Sequence, residues 1–538
     1  MVLPILVNRR VMHRKTFLLQ EGGYVFSKVF GIGLSGIDAY EVSVEVDVSD
    51  GLPAFVMVGV LAAEVKEAQD RVRTALRNGG FTLRPQKVTV NLSPAGVRKS
   101  GTAFDLAIAA GVLGAYGVID CTAFQDVVLL GELGLDGQVR PVRGVLSMVM
   151  EAKRCGKKIC IVPQDNVREG QIIPGIQMIG IQWVKELPEL LKKRSQKDRM
   201  GLTEILQESC EAEPERYPID FKEVQGQFLV RRATEVAVSG RHHILYIGSA
   251  GSGKTMIAER IPTILPSASI EEQLEISRIY SVCGMLSREH PLMRKRPFRS
   301  PHHSSSIQAL AGGGKYPVPG ELSLASGGVL FLDELPEFPR YAIELLREPL
   351  ESRKIVISRV NGRYEFPADF ILAAAMNPCP CGFYPDRNRC HCTENQIHNY
   401  LGKVSKPIRD RIDICVEAAA VSYEELNSQR EQESSETIRK RVERVRKIQE
   451  ERFQGTGIHF NGEMSGEMVR KFCVLEKGEE AFFRELYQKK GFSARGYGKV
   501  LKVARTIADM EGAELIGHSH LCEAIGYRSL EEKYWNGN

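Results

Sequence analysis

The sequence predicts an α/β chain built on a phosphate-binding core, with an α+β domain before it and a helical domain after it. Three observations predict this. An apolar strand runs into the glycine-rich stretch Gly248-Ser249-Ala250-Gly251-Ser252-Gly253-Lys254-Thr255, and a helix follows. A second apolar strand ends in the carboxylate pair Asp333-Glu334. Residues 421–538 carry mostly helical spacing.

Bulk properties narrow the class. The 538 residues are too many for one core, so several domains are expected. Hydrophobic residues make up 43% and charged residues 26%, the balance of a water-soluble globular chain. A net charge of +5 permits nucleic-acid binding without arguing for it, because local clusters decide that. The longest uncharged apolar stretch, residues 106–119, is too short to cross a bilayer and reads as a buried helix. The apolar start precedes the first arginines, the reverse of a secretory signal. Twelve cysteines without such a signal point to the cytoplasm, where thiols or metal ligands are expected rather than disulfides.

In chain order, residues 1–24 read as an extension, with translation expected to start at Val25. Residues 25–185 form the first domain. Val42, Val44, Val46 and Val48 alternate with polar residues as a half-buried strand, and Asp50-Gly51 turns the chain into a second apolar run, residues 54–58. Residues 64–76 have helical spacing, and 88–92, 127–130 and 158–162 read as further strands. Residues 186–219 are a linker: Lys192-Lys193-Arg194 gives way to an acidic stretch with Pro214 and Pro218. Residues 220–420 alternate strand, glycine loop, helix and strand. In 421–538, Ile438, Val442, Val445 and Ile448 share a helix face, as do Tyr497, Leu501, Ala504 and Ala508.

The glycines at 248, 251 and 253 free backbone N–H groups to wrap phosphates, and the helix N-terminus adds a favourable dipole. Ser249, Ala250 and Ser252 complete the loop. Lys254 is expected to reach the β- and γ-phosphates of ATP, and the Thr255 hydroxyl to bind Mg²⁺. Asp333 is expected in the Mg²⁺ shell, and Glu334 is expected to orient the attacking water. Asn377 ends a third strand, residues 370–375. It suits a hydrogen bond to the γ-phosphate or the lytic water, and an ordinary strand-end asparagine fits equally.

With these residues in place, the chain resembles the ComM/YifB family of magnesium-chelatase-like AAA+ ATPases. The likeness runs from about residue 26 to about 530. It rests on Arg296-Pro297-Phe298-Arg299-Ser300-Pro301-His302-His303, Pro319-Gly320-Glu321-Leu322-Ser323-Leu324, residues 331–338, residues 373–382 and Asp410-Arg411-Ile412-Asp413. The resemblance implies a P-loop AAA+ core, a Lon-protease-like domain before it and a helical lid after it. It implies that Arg411 is an arginine finger given to the neighbouring subunit's ATP, with a local bridge to Asp410 or Asp413 as the alternative. It implies that Arg495 is the second sensor, with an ordinary exposed helix arginine as the alternative. A finger acting in trans requires a ring, expected as a hexamer. In the first domain, Gly131–Gly137 and Val139–Gly144 carry the Lon likeness. The protease serine falls at Ala103 and the lysine near 146–148, which holds none, so the domain reads as non-proteolytic.

Cys379, Cys381, Cys390 and Cys392 form two close thiol pairs suited to Zn²⁺, with unligated thiols as the alternative and His391 as a substitute ligand. Basic clusters fall at Arg294, Lys295, Arg296 and Arg299, and at Arg439, Lys440, Arg441, Arg444, Arg446 and Lys447. The second lies on a helix and suits a solvated face. Lys315, on a glycine loop, is placed to meet DNA phosphates inside a ring. The resemblance thus implies a hexameric helicase on single-stranded or branched DNA, promoting branch migration during natural transformation or recombination. The alternative is an ATP-driven remodelling subunit of a metal chelatase.

Overall fold

The computed structural model describes residues 26–197, 217–360, 362–420, 423–426, 432–490 and 494–536. The expected start at Val25 lies outside them, as does most of the expected linker; helix Leu187–Lys197 covers the linker's first part.

The first domain is a seven-stranded mixed sheet. Its order is Ala54–Val58, Lys87–Ser93, Asp38–Ser49, Phe26–Ser35, Val127–Leu129, Ile159–Pro163, Gln177–Ile181. Val42, Val44, Val46 and Val48 all point inward, as their alternation requires. The run 54–58 does form a strand, but it pairs parallel to Lys87–Ser93, which takes the place beside Asp38–Ser49. Parallel pairing demands a crossover, and helix Ala68–Asn78 supplies it. That helix buries Ala68, Val72, Ala75 and Leu76, lying chiefly against helix Asp105–Ala115. Helix Asp105–Ala115 is buried along its whole length, which explains its nearly unbroken apolar sequence.

The core is a parallel five-stranded sheet, ordered Phe298–Arg299, Val329–Leu332, Ile371–Met376, Ile244–Gly248, Ile414–Ala418. Numbered in its own chain order, this is 2-3-4-1-5. Every residue of Ile244–Gly248 and of Ile371–Met376 is buried, as expected of strands covered on both faces. The strand before Asn377 therefore lies between the phosphate-loop strand and the strand that ends at Asp333. Three chemically distinct loops leave the same edge of the sheet, where α/β proteins bind ligands.

Helices Ser435–Arg452, Ala494–Glu511 and His518–Glu531 follow. Ile438, Val442 and Val445 are buried as expected, but the fourth core position is Gln449 rather than Ile448. Its amide donates to the Ser239 carbonyl at 2.9 Å and accepts from the Asn461 amide at 2.8 Å, so the polar group is satisfied where it is buried. Among the described residues no helix is long and apolar enough to cross a membrane.

The first domain docks on the core through helix Val145–Arg154, which lies against helix Ile270–Val282. The Gly144 amide donates to the Ser281 carbonyl at 3.1 Å, and Arg278 donates to the Ser147 hydroxyl at 3.3 Å.

Candidate nucleotide site

Strand Ile244–Gly248 delivers the chain to the loop, and helix Lys254–Ile264 carries it away. Gly251 and Gly253 have φ of 76° and 84°, the left-handed region that side chains resist. At Gly248 a Cβ would stand 2.2 Å from the Ala418 carbonyl oxygen, so only glycine fits there. Gln227 braces the loop from outside, its amide donating to the Ser252 carbonyl at 3.0 Å.

Lys254 folds over this cradle. Its Nζ donates to the Gly248 and Ser249 carbonyls at 2.8 and 2.7 Å, and to Asn377 Oδ1 at 3.3 Å. Burial pushes its ammonium pKa down, against the opposing pull of Asp333 and Glu334. A desolvated ammonium held by carbonyls is ready to exchange them for phosphate oxygens.

Thr255 Oγ1 donates to Asp333 Oδ2 at 2.7 Å. A hydroxyl and a carboxylate in contact at the helix start are a donor set for a hard divalent cation, so the residues fit Mg²⁺. Glu334 has φ of 50°, unusual for a residue with a side chain. Its carboxylate approaches His303, whose Nδ1 stands 3.7 Å from Glu334 Oε2, while its backbone N–H donates to Asp333 Oδ1 at 2.8 Å. The structure thus brings together Lys254, Thr255, Asp333, Glu334 and Asn377.

Arg411 and Arg495 lie elsewhere. Arg411 precedes strand Ile414–Ala418, whose first residue pairs with Ile244, at the edge opposite the phosphate loop. At about 3.3 Å per strand residue the two edges are about 15 Å apart. Both arginines line a cleft of about 480 Å³ with Glu351, Arg353, Asp413 and Lys499. Arg411 pairs with neither Asp410 nor Asp413. Its Nη2 meets Glu351 Oε1 at 2.6 Å, and Arg495 reaches the same oxygen at 3.7 Å. Asp413 instead takes Lys499 Nζ at 2.8 Å, one turn along the helix from Arg495. Against its burial, that lysine, with His242 and His243 beside it, holds the Asp413 carboxyl well below the usual range.

Comparison with known proteins gives three family matches along the chain. Residues 220–426 match the description "Magnesium chelatase, subunit ChlI", residues 44–166 "Subunit ChlI of Mg-chelatase", and residues 432–528 "Magnesium chelatase, subunit ChlI C-terminal". "Competence protein ComM" of Haemophilus influenzae is 38% identical over 504 residues, covering 93% of this chain and 97% of that protein. The chain belongs to the ComM/YifB family of magnesium-chelatase-like AAA+ ATPases. YifB of Escherichia coli is 39% identical over 497 residues, 92% of this chain and 96% of its own. Lon protease 2 of Bacillus subtilis is 30% identical over 146 residues, 27% of this chain and 26% of the protease.

In this ComM/YifB chain the Lon-like segment pairs no hydroxyl with a lysine among the contacts of its key residues. Ala103 is buried, the Thr102 hydroxyl donates to Glu132, and the ammonium of buried Lys99 goes to the Pro94 carbonyl. Positions 146–148, the place of the lysine in the protease, lie on the helix that docks against the AAA+ core.

Four arginines of the basic clusters are engaged within the fold. Buried Arg296 donates to the Pro266 and Gly327 carbonyls at 2.6 and 2.8 Å and pairs with Glu272 at 2.8 Å. Arg299 grips Glu321 with two 2.6 Å bonds. Arg441 pairs with Glu235 and Glu433, and Arg446 with Glu450. Lys315 is exposed, on a small hairpin formed by Gly312–Gly313 and Val318–Pro319.

Sequence reasoning left His303, Gln227 and Glu351 without roles. His303 ends the motif at residues 296–303, a signal from which a role could have been suspected. Glu351 carried no signal, because only folding sets it between two arginines distant in sequence.

Proposed function

We propose that this AAA+ ATPase is a ring-forming motor on single-stranded or branched DNA, a hexameric helicase that promotes branch migration during natural transformation or recombination. The observation that carries the ring is the placement of Arg411 and Arg495 at the sheet edge opposite Lys254. From there neither arginine serves its own phosphate loop; both line a cleft that a neighbour's phosphates would enter, Arg495 exposed and Arg411 buried against Glu351. The relative named as a competence protein supports the DNA reading, and so does exposed Lys315 on its hairpin.

In this reading Lys254 and the loop amides bind the triphosphate, and Asn377 fixes the geometry beside it. Thr255 and Asp333 would hold Mg²⁺, which supplies charge neutralisation on the phosphates. Glu334 orients and polarises the attacking water, and His303 sets its carboxylate. Arg411 and Arg495 exchange Glu351 for the charge that develops on the partner's γ-phosphate, a contribution of about 10³–10⁵ in rate for such fingers. The domain limits 25–185, 186–219, 220–420 and 421–538 are part of this proposal, as are a cytoplasmic location and Zn²⁺ on the cysteines, taken up below.

A four-way or forked junction unwinding assay tests it, comparing wild type with Lys254→Ala and Glu334→Gln. ATP-dependent unwinding by wild type alone supports the motor; hydrolysis that DNA neither requires nor stimulates counts against it. The matches to chelatase subunits favour one alternative, an ATP-driven remodelling subunit of a metal chelatase-like complex, whose hydrolysis would respond to a protein partner instead.

A further inference from the structure

Among the described residues, one group of side chains has the makings of a transition-metal site. Cys379, Cys381, Cys390 and Cys392 bring their four sulfurs within 4.8 Å of one another. Cys379 to Cys381 is 3.4 Å, Cys379 to Cys390 is 3.7 Å and Cys381 to Cys390 is 3.6 Å. A disulfide bond is about 2.05 Å long, so none of these pairs is bonded. The separations match a tetrahedral zinc site instead. With Zn–S bonds of about 2.3 Å, adjacent thiolates stand about 3.8 Å apart.

The surroundings suit that ion. Cys379 and Cys390 are 0% and 6% exposed, while Cys381 faces solvent, so the site is closed on the protein side and reachable from outside. The Tyr384 amide donates to Cys379 Sγ at 3.4 Å, the outer bond that a ligating thiolate needs. Arg387 and Arg389 lie over the rings of Tyr384 and Phe383 on the same loop, cations beside a site that would carry net negative charge. His391, the substitute ligand considered from sequence, is exposed and outside the cluster.

The loop is also a wall of the nucleotide site. It runs from Asn377 to Thr393 with neither helix nor strand. A loop this long has no ladder to hold its shape. Yet it begins at Asn377, which touches Lys254. It then passes so close to the phosphate loop that a Cβ on Gly382 would stand 3.8 Å from the Ala250 amide nitrogen. Its outer side packs Tyr384 against Tyr534 near the C-terminal end, ring centroids 6.1 Å apart.

We propose that these four cysteines bind one structural Zn²⁺ and that the metal fixes residues 377–392 as the wall beside the phosphates. The wall rests on the nucleotide-site reading above; the metal site does not.

The test measures zinc by elemental analysis and binding of a fluorescent ATP analogue with Mg²⁺, for wild type and Cys381→Ser. Cys392→Ser serves as a second variant if the first does not fold. The expected result is about one zinc per chain in wild type, its loss in the variant, and about tenfold weaker nucleotide binding with the helical circular dichroism retained. Zinc-free wild type in which all four thiols react freely with a thiol reagent would overturn the metal site. Zinc lost with nucleotide affinity unchanged would overturn the wall. Zinc present while neither protein binds nucleotide would overturn the nucleotide reading and the wall together, leaving the metal site standing.

Discussion

The Thr255 hydroxyl donates to the Asp333 carboxylate at 2.7 Å, though 78 positions separate them. One begins the helix after the phosphate loop, and the other ends a strand two places away in the sheet. That contact, with Lys254 against Asn377, joins three strand ends into one site. Lys254→Ala is therefore expected to remove nucleotide binding. Glu334→Gln is expected to keep binding and lower hydrolysis by about 10²-fold or more, since the water loses its orienting charge. Equilibrium binding and steady-state phosphate release on the two variants distinguish these outcomes.

Arg411 sits on Glu351 at the opposite edge. Arg411→Ala alone is expected to lower hydrolysis by about 10³-fold or more. Mixing Arg411→Ala with Lys254→Ala subunits should recover part of the activity. In a mixed ring, an intact phosphate loop from the first meets an intact arginine from the second. Two inactive proteins that stay inactive when their subunits have exchanged would show that the arginine does not act across subunits.

His243 links stability to acidity. Burial pushes its pKa down to about 4, against the pull of Asp413, and its Nδ1 accepts the Leu372 amide at 3.1 Å, which requires the neutral ring. An unfolded histidine titrates near 6.5, so between about 6.5 and 4 the unfolded chain binds the extra proton. Stability falls as pH drops through that window, by up to about 3 kcal/mol. Above pH 7 the effect is absent. His243→Asn, which keeps an acceptor, should flatten the fall of Tm between pH 7 and pH 5. An unchanged slope would assign the effect to another group.

Two basic residues near each other in sequence should behave differently. Arg296 is buried and bound to Glu272 and to the Pro266 and Gly327 carbonyls, so Arg296→Ala strips two carbonyls of their donor and leaves Glu272 with Arg446 alone; it is expected to destabilise by about 3 kcal/mol. Lys315 is exposed, so Lys315→Ala should leave Tm unchanged. It should weaken DNA binding and reduce the salt slope by about one. Thermal melts and a salt titration of DNA affinity read the two effects separately.

The phosphate loop and the carboxylate pair were legible because they are local. Each is a run of neighbours whose residue types meet one chemical need, and each lies where an apolar strand stops. The valine alternation at 42–48 and the buried helix near 106–115 were legible for the same reason. What sequence left open was whatever depends on who sits beside whom. Asp50-Gly51 marks a turn, but that the next strand lies parallel to Lys87–Ser93, and not beside Asp38–Ser49, is a matter of long-range pairing that no local run of residues encodes.

The sequence by itself determined the family, the nucleotide chemistry and the absence of a serine–lysine dyad at its expected positions, since these reside in residue identity and short spacing. Only the tertiary structure decided that Asn377 belongs to Lys254, that Glu351 holds Arg411 and Arg495, that Arg296 is interior, and that four sulfurs stand at tetrahedral distance. Each of those depends on strand order and burial. They arise when the whole chain hides its apolar surface and must give every displaced charge a partner.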